Sequence, residues 1–224
     1  MKRRDFASSL AGLAGAASLT TLVAGPRPAQ AQGDAPVEGR DYLRLKQPAQ
    51  LPASAGGKIV VTEFFWYGCP HCHDFEPALE PWVRALPANV QFRLVPYDFG
   101  SALRETHKRV FCTWDALGLV GAMHRKTWDR FHAQRKPINS EGDMLAFAAE
   151  SGLDVAKVKE AWNSFGVVSV KMRQATQACE QFEIHETPVL AVQDRFETTP
   201  ARAGSGARAL TIANALIELA HKGA

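Results

Sequence analysis

Residues 58–73 read KIVVTEFFWYGCPHCH. Eight of the first ten residues in this stretch are β-branched or aromatic, which predicts a buried central strand. Gly68 ends that strand, and the apolar side chains that follow it recur at helical spacing as far as Pro87. The dithiol pair Cys69 and Cys72 is therefore predicted to lie where a strand ends and a helix begins.

The elements outside this stretch follow a recognisable order. Apolar and polar residues alternate over 90–94, which predicts a second strand and completes a strand–helix–strand unit. From about 101 to 182 the apolar residues keep a helical period throughout. Strands return at 188–192 and near Phe196, and a last helix is predicted over 210–221.

This order predicts an α/β protein with a thioredoxin-like fold. The sheet domain is discontinuous and takes its residues from 32–100 and 183–224. Residues 101–182 are predicted to form an all-helical domain inserted between the two halves.

The first 31 residues are predicted to be a secretory signal. Basic residues precede a weakly apolar run at 6–24, and a small-residue cleavage site ends at Ala31. The pair Arg3 and Arg4 favours the twin-arginine export route. Cleavage after Ala31 leaves 22 of the 26 basic residues and 22 of the 23 acidic ones, so the mature chain is neutral and offers no basic run for nucleic acid. We expect a periplasmic protein.

The position of the dithiol pair predicts its chemistry. Unpaired amide donors at a helix N-terminus favour a negative charge, so the pKa of Cys69 should be low and its thiolate reactive. Pro70 suits the first helical turn because it has no amide hydrogen to lose. His71 can add a donor or a positive charge beside the sulfur. Cys72, further inside, is predicted to be the resolving thiol, and this chemistry requires no metal and no bound cofactor.

Two features near the pair have more than one interpretation. Glu63 lies in an otherwise apolar strand, either as a proton-transfer group beneath the disulfide or as a hydrogen-bonded glutamate without a chemical role. Thr187-Pro188 precedes the returning strand, and its proline either follows a cis bond that exposes backbone groups to a bound peptide or simply begins the strand.

The cysteines also leave alternatives open. A C-x-x-C pair can be half of a zinc site, and together with His73 it matches the attachment signature of c-type haem. Cys112 and Cys179 are solitary in sequence, and they are either a second disulfide formed after export or two separate small core residues. Helical spacing predicts that Cys179 lies on an apolar face and that Cys112 is turned toward the polar face of its helix.

From about residue 40 to its end, the chain resembles the DsbA family of periplasmic dithiol oxidases. The resemblance is carried by EFFWYGCPHC at 63–72, by AWNSF at 161–165 and by the pair Thr187-Pro188. The resemblance implies that Glu63 is a buried acid and that the peptide bond before Pro188 is cis. The family's functional residues would correspond here to Glu63, Cys69, His71, Cys72 and Pro188. Departures from the family are His73, where the best-known members carry an aromatic residue, and the additional cysteines Cys112 and Cys179.

The resemblance implies a monomeric dithiol oxidase that acts on unfolded or newly exported cysteine-containing proteins. It also implies reoxidation by a DsbB-like membrane quinone reductase. A disulfide isomerase or reductase is the alternative within the same chemistry, and a peptide-binding chaperone module is the alternative outside it.

Overall fold

The computed structural model describes residues 35–46, 48–49 and 55–223. The predicted signal and its cleavage site lie outside these residues. From Ala35 onward the described residues form one compact unit. Within that part of the chain, no helix is both long enough and apolar enough to cross a membrane.

Five strands of the described residues form one mixed sheet. In chain order the strands are β1 (Leu43–Arg44), β2 (Ile59–Phe65), β3 (Val90–Pro96), β4 (Val189–Val192) and β5 (Phe196–Thr198). The spatial order is β1-β5-β4-β2-β3, and only the β2–β3 pair is parallel. Every side chain of β2 is buried, so the predicted central strand is confirmed.

Eight α-helices lie in the described part of the chain, and five of them fall within the segment predicted to be helical. In chain order the helices are α1 (Pro70–Arg84), α2 (Ala102–Ala116), α3 (Val120–His132), α4 (Glu141–Glu150), α5 (Val155–Trp162), α6 (Val168–Gln181), α7 (Pro200–Ala203) and α8 (Gly206–His221). The sequence pattern missed α7 because a four-residue helix contains too little of the helical period to be recognised. It also began the last helix too late, since Ser205 caps α8 by accepting a hydrogen bond from the amide of Arg208 at 3.1 Å.

Residues at the end of the central strand pack in one hydrophobic cluster with residues of the helical segment. Phe65, Tyr67 and Cys72 pack in one cluster with Trp114 of α2 and Trp128 of α3. Further back along the strand, the same face of β2 packs with α1 and α8 in a second cluster, whereas the opposite face packs against α6 in a third. Residues from the helical segment therefore reach the dithiol pair. The division into domains at 32–100, 101–182 and 183–224 stays a prediction.

The prediction that Cys112 turns toward a polar face was wrong, because Cys112 is buried. Part of the polar side of α2 packs against α6, where Lys108 is buried, whereas Asp115 stays exposed at the rim of this contact. Lys108 donates a hydrogen bond to Thr176 at 2.8 Å, and Asp115 pairs with Lys171 at 2.7 Å. Paired polar groups can be buried at a helix–helix contact, and the alternation of polar and apolar residues does not reveal such pairs.

Cys112 and Cys179 are both free thiols in the structure. They belong to different packing clusters, Cys112 with Trp114 and Cys179 with Phe64 and Phe182. Burial raises the pKa of each thiol to about 12. This arrangement agrees with two separate core residues, and a disulfide between them stays a prediction.

Candidate active site

A tight turn delivers Cys69 from the end of β2 to the start of α1. The amide of Cys69 donates a hydrogen bond to the carbonyl of Trp66 at 2.8 Å. The Trp66 indole lies directly over Gly68, where a Cβ atom would come within 2.3 Å of the ring. Glycine is therefore required at this position for the indole to keep its place.

Cys69 is the N-cap residue of α1, and its surroundings favour the thiolate. The Cys72 amide donates to Cys69 Sγ at 3.4 Å, and Cys69 Sγ lies 3.5 Å from the carbonyl oxygen of Thr187. The hydrogen bond with the Cys72 thiol is the largest influence, and it lowers the pKa of Cys69 to about 5 against the opposing effect of burial. Hydrogen bonds involving Thr187 and the backbone amides of Cys72 and His71 add to the lowering.

The second sulfur behaves in the opposite way. Cys72 has no exposed surface, whereas Cys69 is 6% exposed. Burial raises the pKa of Cys72 well above its usual range, and the hydrogen bond to Cys69 and the charges of Cys69 and Glu63 raise it further. At neutral pH the pair therefore consists of one thiolate and one protonated thiol.

The two residues between the cysteines are both exposed. Pro70 occupies the first turn of α1, as predicted, where its missing amide hydrogen costs no hydrogen bond. His71 contributes its backbone amide to the stabilisation of Cys69. The effect of the His71 imidazole on the thiolate stays a prediction.

Glu63 is buried in the middle of β2. It has no exposed surface, and neither carboxyl oxygen has a hydrogen-bond partner among the described residues. Its neighbours across the sheet are Leu94 and Leu190. Burial raises the pKa of Glu63 well above its usual range, with the charges of Glu76 and Cys69 acting in the same direction. Burial thus favours the neutral form of this carboxyl group, and its ionisation state is linked to those of Cys69 and Cys72.

The loop before β4 closes the other side of the site. The Thr187-Pro188 bond is cis, and Thr187 contacts Cys69 as described above, so the predicted geometry is confirmed. A groove of about 460 Å³ begins at this point. Its lining is His71, Asp74, Phe75, Glu186, Thr187, Pro188, Thr199, Pro200, Ala201 and Gly206.

Sequence reasoning missed several histidine contacts around the site. His73 stacks on His132 with 4.4 Å between ring centroids and remains partly exposed. His132 also hydrogen-bonds the carbonyl of Tyr67 at 2.8 Å. His124 of α3 lies 3.4 Å from Glu76. The spacing of Glu76, one helical turn after Cys72, could have placed it on the buried face of α1. Nothing local in the sequence predicts its contact with α3.

No group of three or more metal-ligating side chains that could hold an ion occurs within the described ranges. Similarity to known proteins identifies the chemistry of the site. A model of the DSBA-like thioredoxin domain matches residues 60–216. The chain belongs to this family.

Individual DsbA relatives agree with the assignment over most of their length. The chain is 36% identical to the thiol:disulfide interchange protein DsbA of Azotobacter vinelandii over 180 residues, which cover 80% of this chain and 82% of the relative. It is 35% identical to DsbA of Bordetella parapertussis over 224 residues, which cover 99% and 100%. The crystal structure of Pseudomonas aeruginosa DsbA superposes with a TM-score of 0.77 at 30% identity, covering 84% of this chain and 95% of that one.

Membership of the DsbA family identifies the fold as thioredoxin-like and the protein as a thiol:disulfide oxidoreductase. Both agree with the predictions made from the sequence. The interpretations of the cysteine pair as a zinc half-site or a haem attachment site are not supported by this family.

The reduced protein should react first at Cys69. Alkylation at mildly acidic pH is expected to label Cys69 before the other three cysteines, because the pKa of Cys69 is about 5 and the other thiols are buried with raised pKa values. Peptide mapping by mass spectrometry measures the order of labelling. The denatured, reduced protein is the control and should label at all four positions. Equal labelling of Cys69 and Cys72 in the native protein would contradict the assignment.

The stability of the reduced protein should depend on pH through Cys69. Folding lowers the pKa of this thiol from its ordinary value of 9.0 to about 5, so the stabilisation is complete above pH 9 and is lost as the pH falls to 5. Across this range the free energy of unfolding should rise with pH by up to about 1.4 kcal/mol per unit, relative to the Cys69→Ser variant. Denaturant titrations of both proteins at several pH values test this. Parallel curves would mean that the thiolate is not stabilised by folding.

Proposed function

We propose that this protein is a periplasmic dithiol oxidase that donates its Cys69–Cys72 disulfide to newly exported proteins. The observation that carries the proposal is the position of the two sulfurs, since Cys69 caps α1 and accepts a hydrogen bond from the Cys72 amide, while Cys72 is fully buried. This arrangement lowers the pKa of Cys69 and raises that of Cys72. A low pKa makes Cys69 a good leaving group, and it stabilises the dithiol form relative to the disulfide. The disulfide is then readily given to a substrate.

The reaction proceeds through two exchanges. A substrate thiolate attacks Cys69 Sγ, the bond between Cys69 and Cys72 breaks, and Cys72 leaves with the electron pair and takes up a proton. A second thiolate of the same substrate then attacks the substrate sulfur of the mixed disulfide, and Cys69 leaves as a thiolate. The substrate loses two electrons and gains a disulfide, while the protein gains two electrons and becomes the dithiol.

In this reaction Glu63 is the proton donor to Cys72. The pKa of Cys72 is raised by burial, so the leaving sulfur must be protonated inside the protein. The carboxyl group of Glu63 is buried and has no hydrogen-bond partner within the described residues, and ionising it would raise the pKa of Cys72. These properties suit a general acid. Pro70 and His71 form the first turn of α1 beside Cys69 and help to stabilise its thiolate.

The polypeptide substrate binds beside Thr187 and Pro188. The groove that begins there has an apolar floor that includes Phe75, Pro188 and Pro200, and it opens next to the reactive sulfur. A groove of this kind suits an unfolded segment that carries a cysteine.

Export delivers the protein to the periplasm through its N-terminal signal, by the twin-arginine route. Reoxidation comes from a DsbB-like membrane quinone reductase, which withdraws electrons through Cys69. The protein acts as a monomer and requires no bound cofactor of its own.

The proposal is tested with a reduced, unfolded protein that contains two thiols. One equivalent of the oxidised protein should generate one substrate disulfide and become reduced, and Cys69→Ser should abolish the transfer. The matched control is the Cys112→Ala/Cys179→Ala double variant, which removes the other two thiols and should transfer the same amount. No transfer would contradict the oxidase. Faster reshuffling of a scrambled substrate than oxidation of a reduced one would favour the isomerase, and binding without exchange would favour the chaperone module.

A further inference from the structure

The turn that carries Cys69 lies between two surfaces. At the end of β2, Phe64 is paired with Val189, which begins β4. On the other side, Phe65 is paired with Pro96, which ends β3. The groove at the start of β4 therefore flanks the turn on one side, and the segment that follows β3 flanks it on the opposite side. The proposed function uses only the groove.

The second surface is an aromatic platform formed by Trp66, Phe99 and Arg104. The carbonyl of Trp66 accepts the amide hydrogen of Cys69, so the platform begins directly beside the reactive residue. The guanidinium carbon of Arg104 lies 4.5 Å from the centroid of the Trp66 ring and 4.7 Å from that of Phe99. All three side chains are half-buried, so the platform is accessible from solvent.

The aromatic platform is held in place by the protein itself. Trp66 Nε1 donates a hydrogen bond to Nδ1 of His107 at 2.8 Å, and Nε2 of the same ring lies 3.1 Å from Oδ1 of Asn139. Burial lowers the pKa of His107, so the neutral ring accepts at Nδ1 and donates from Nε2. Phe99 has a φ of 50°, a costly conformation for an aromatic residue and one that is concentrated at binding sites. A surface fixed in this way loses little conformational entropy when a ligand binds.

The charge of Arg104 has no partner among the described residues. Its contacts there are with the two rings, and it makes no ion pair or hydrogen bond with them or with their neighbours. Asp98, in the segment after β3, is engaged by Lys108. Glu105 follows Arg104 on α2, and adjacent helical residues do not face each other. Since the N–H donors of a guanidinium lie in its plane, contacts with the rings leave them free to bind a carboxylate in a bidentate manner.

We propose that Arg104 binds a carboxylate of the substrate polypeptide and so selects segments that carry an acidic residue near their cysteine. The inference rests on the proposed oxidase, because it adds a second contact to a substrate that reacts at Cys69. An extended chain that crosses the turn reaches from the groove to the aromatic platform. Neighbouring strands are about 4.8 Å apart and an extended residue spans about 3.3 Å, so the acidic residue should lie about two to four positions from the cysteine.

The test measures single-turnover oxidation of reduced two-cysteine peptides over a range of peptide concentrations. The peptides differ at one position, which carries Glu, Gln or Lys and lies two, three or four residues from the first cysteine, on either side. At the preferred position, the half-saturating concentration should be about 3-fold to 10-fold lower for Glu than for Gln, and highest for Lys. Added salt should reduce this difference. The maximal rate should change little, because Arg104 does not touch the sulfurs.

Variants of Arg104 show whether this residue is the source of the preference. Arg104→Gln should abolish the preference for Glu, and Arg104→Glu should reverse it in favour of Lys. Arg104→Lys should retain part of it, because lysine keeps the charge but not the planar fork. The matched control is Arg173→Gln, which removes an exposed arginine of α6 and should leave the preference unchanged.

The remaining outcomes separate this inference from the function on which it rests. Equal half-saturating concentrations for the three peptides at every position would overturn the role of Arg104, and so would a preference for Lys. A preference for Glu that survives in Arg104→Gln would overturn it as well. In each of these cases the peptides are still oxidised, so the proposed oxidase stands. Absence of oxidation of every peptide would contradict the oxidase and this inference with it.

Discussion

Hydrogen bonds at the N-terminus of α1 stabilise a negative charge on Cys69, and the chemistry of the site depends on them. The central strand β2 ends just before the helix, so the chain turns sharply and delivers the sulfur to the unpaired amides of the first turn. Cys72 is carried one turn further, into the shared core of the sheet edge and the helical segment. The hydrogen bond with the Cys72 thiol, together with Thr187 and the amides of the first turn, lowers the pKa of Cys69, whereas burial raises the pKa of Cys72.

The low pKa of Cys69 and the high pKa of Cys72 connect the fold to the direction of electron flow. At neutral pH, lowering the pKa of Cys69 from 9.0 to about 5 stabilises the dithiol by about 2.7 kcal/mol, which corresponds to about 60 mV in the potential of a two-electron couple. Burial of Cys72 has a second consequence, because its leaving thiolate must be protonated within the protein. The helical segment contributes to that environment, since His124 of α3 reaches Glu76 and Tyr67 beside the dithiol pair.

Local sequence patterns were sufficient to predict the strand–turn–helix unit around the cysteines, whereas the cis bond at Pro188 was implied by the family resemblance. These features depend on residues close together in the chain or on a family motif. The burial of Cys112 could not be predicted in the same way, because it depends on polar side chains of α2 that pair with α6. The contact between Glu76 and His124 joins residues 48 positions apart, and no periodicity links them. Contacts between elements therefore account for most of what the sequence did not reveal.

Equilibration of the Cys69–Cys72 pair against a series of glutathione buffers tests the central claim most directly. The redox state of the pair can be followed by alkylation and mass spectrometry. Because the folded protein stabilises the Cys69 thiolate, the pair should be half-oxidised at a potential above that of the glutathione couple and should remain reduced in buffers where a structural disulfide stays oxidised. A pair that remains oxidised in reducing glutathione buffers would contradict the claim that thiolate stabilisation makes this protein a disulfide donor.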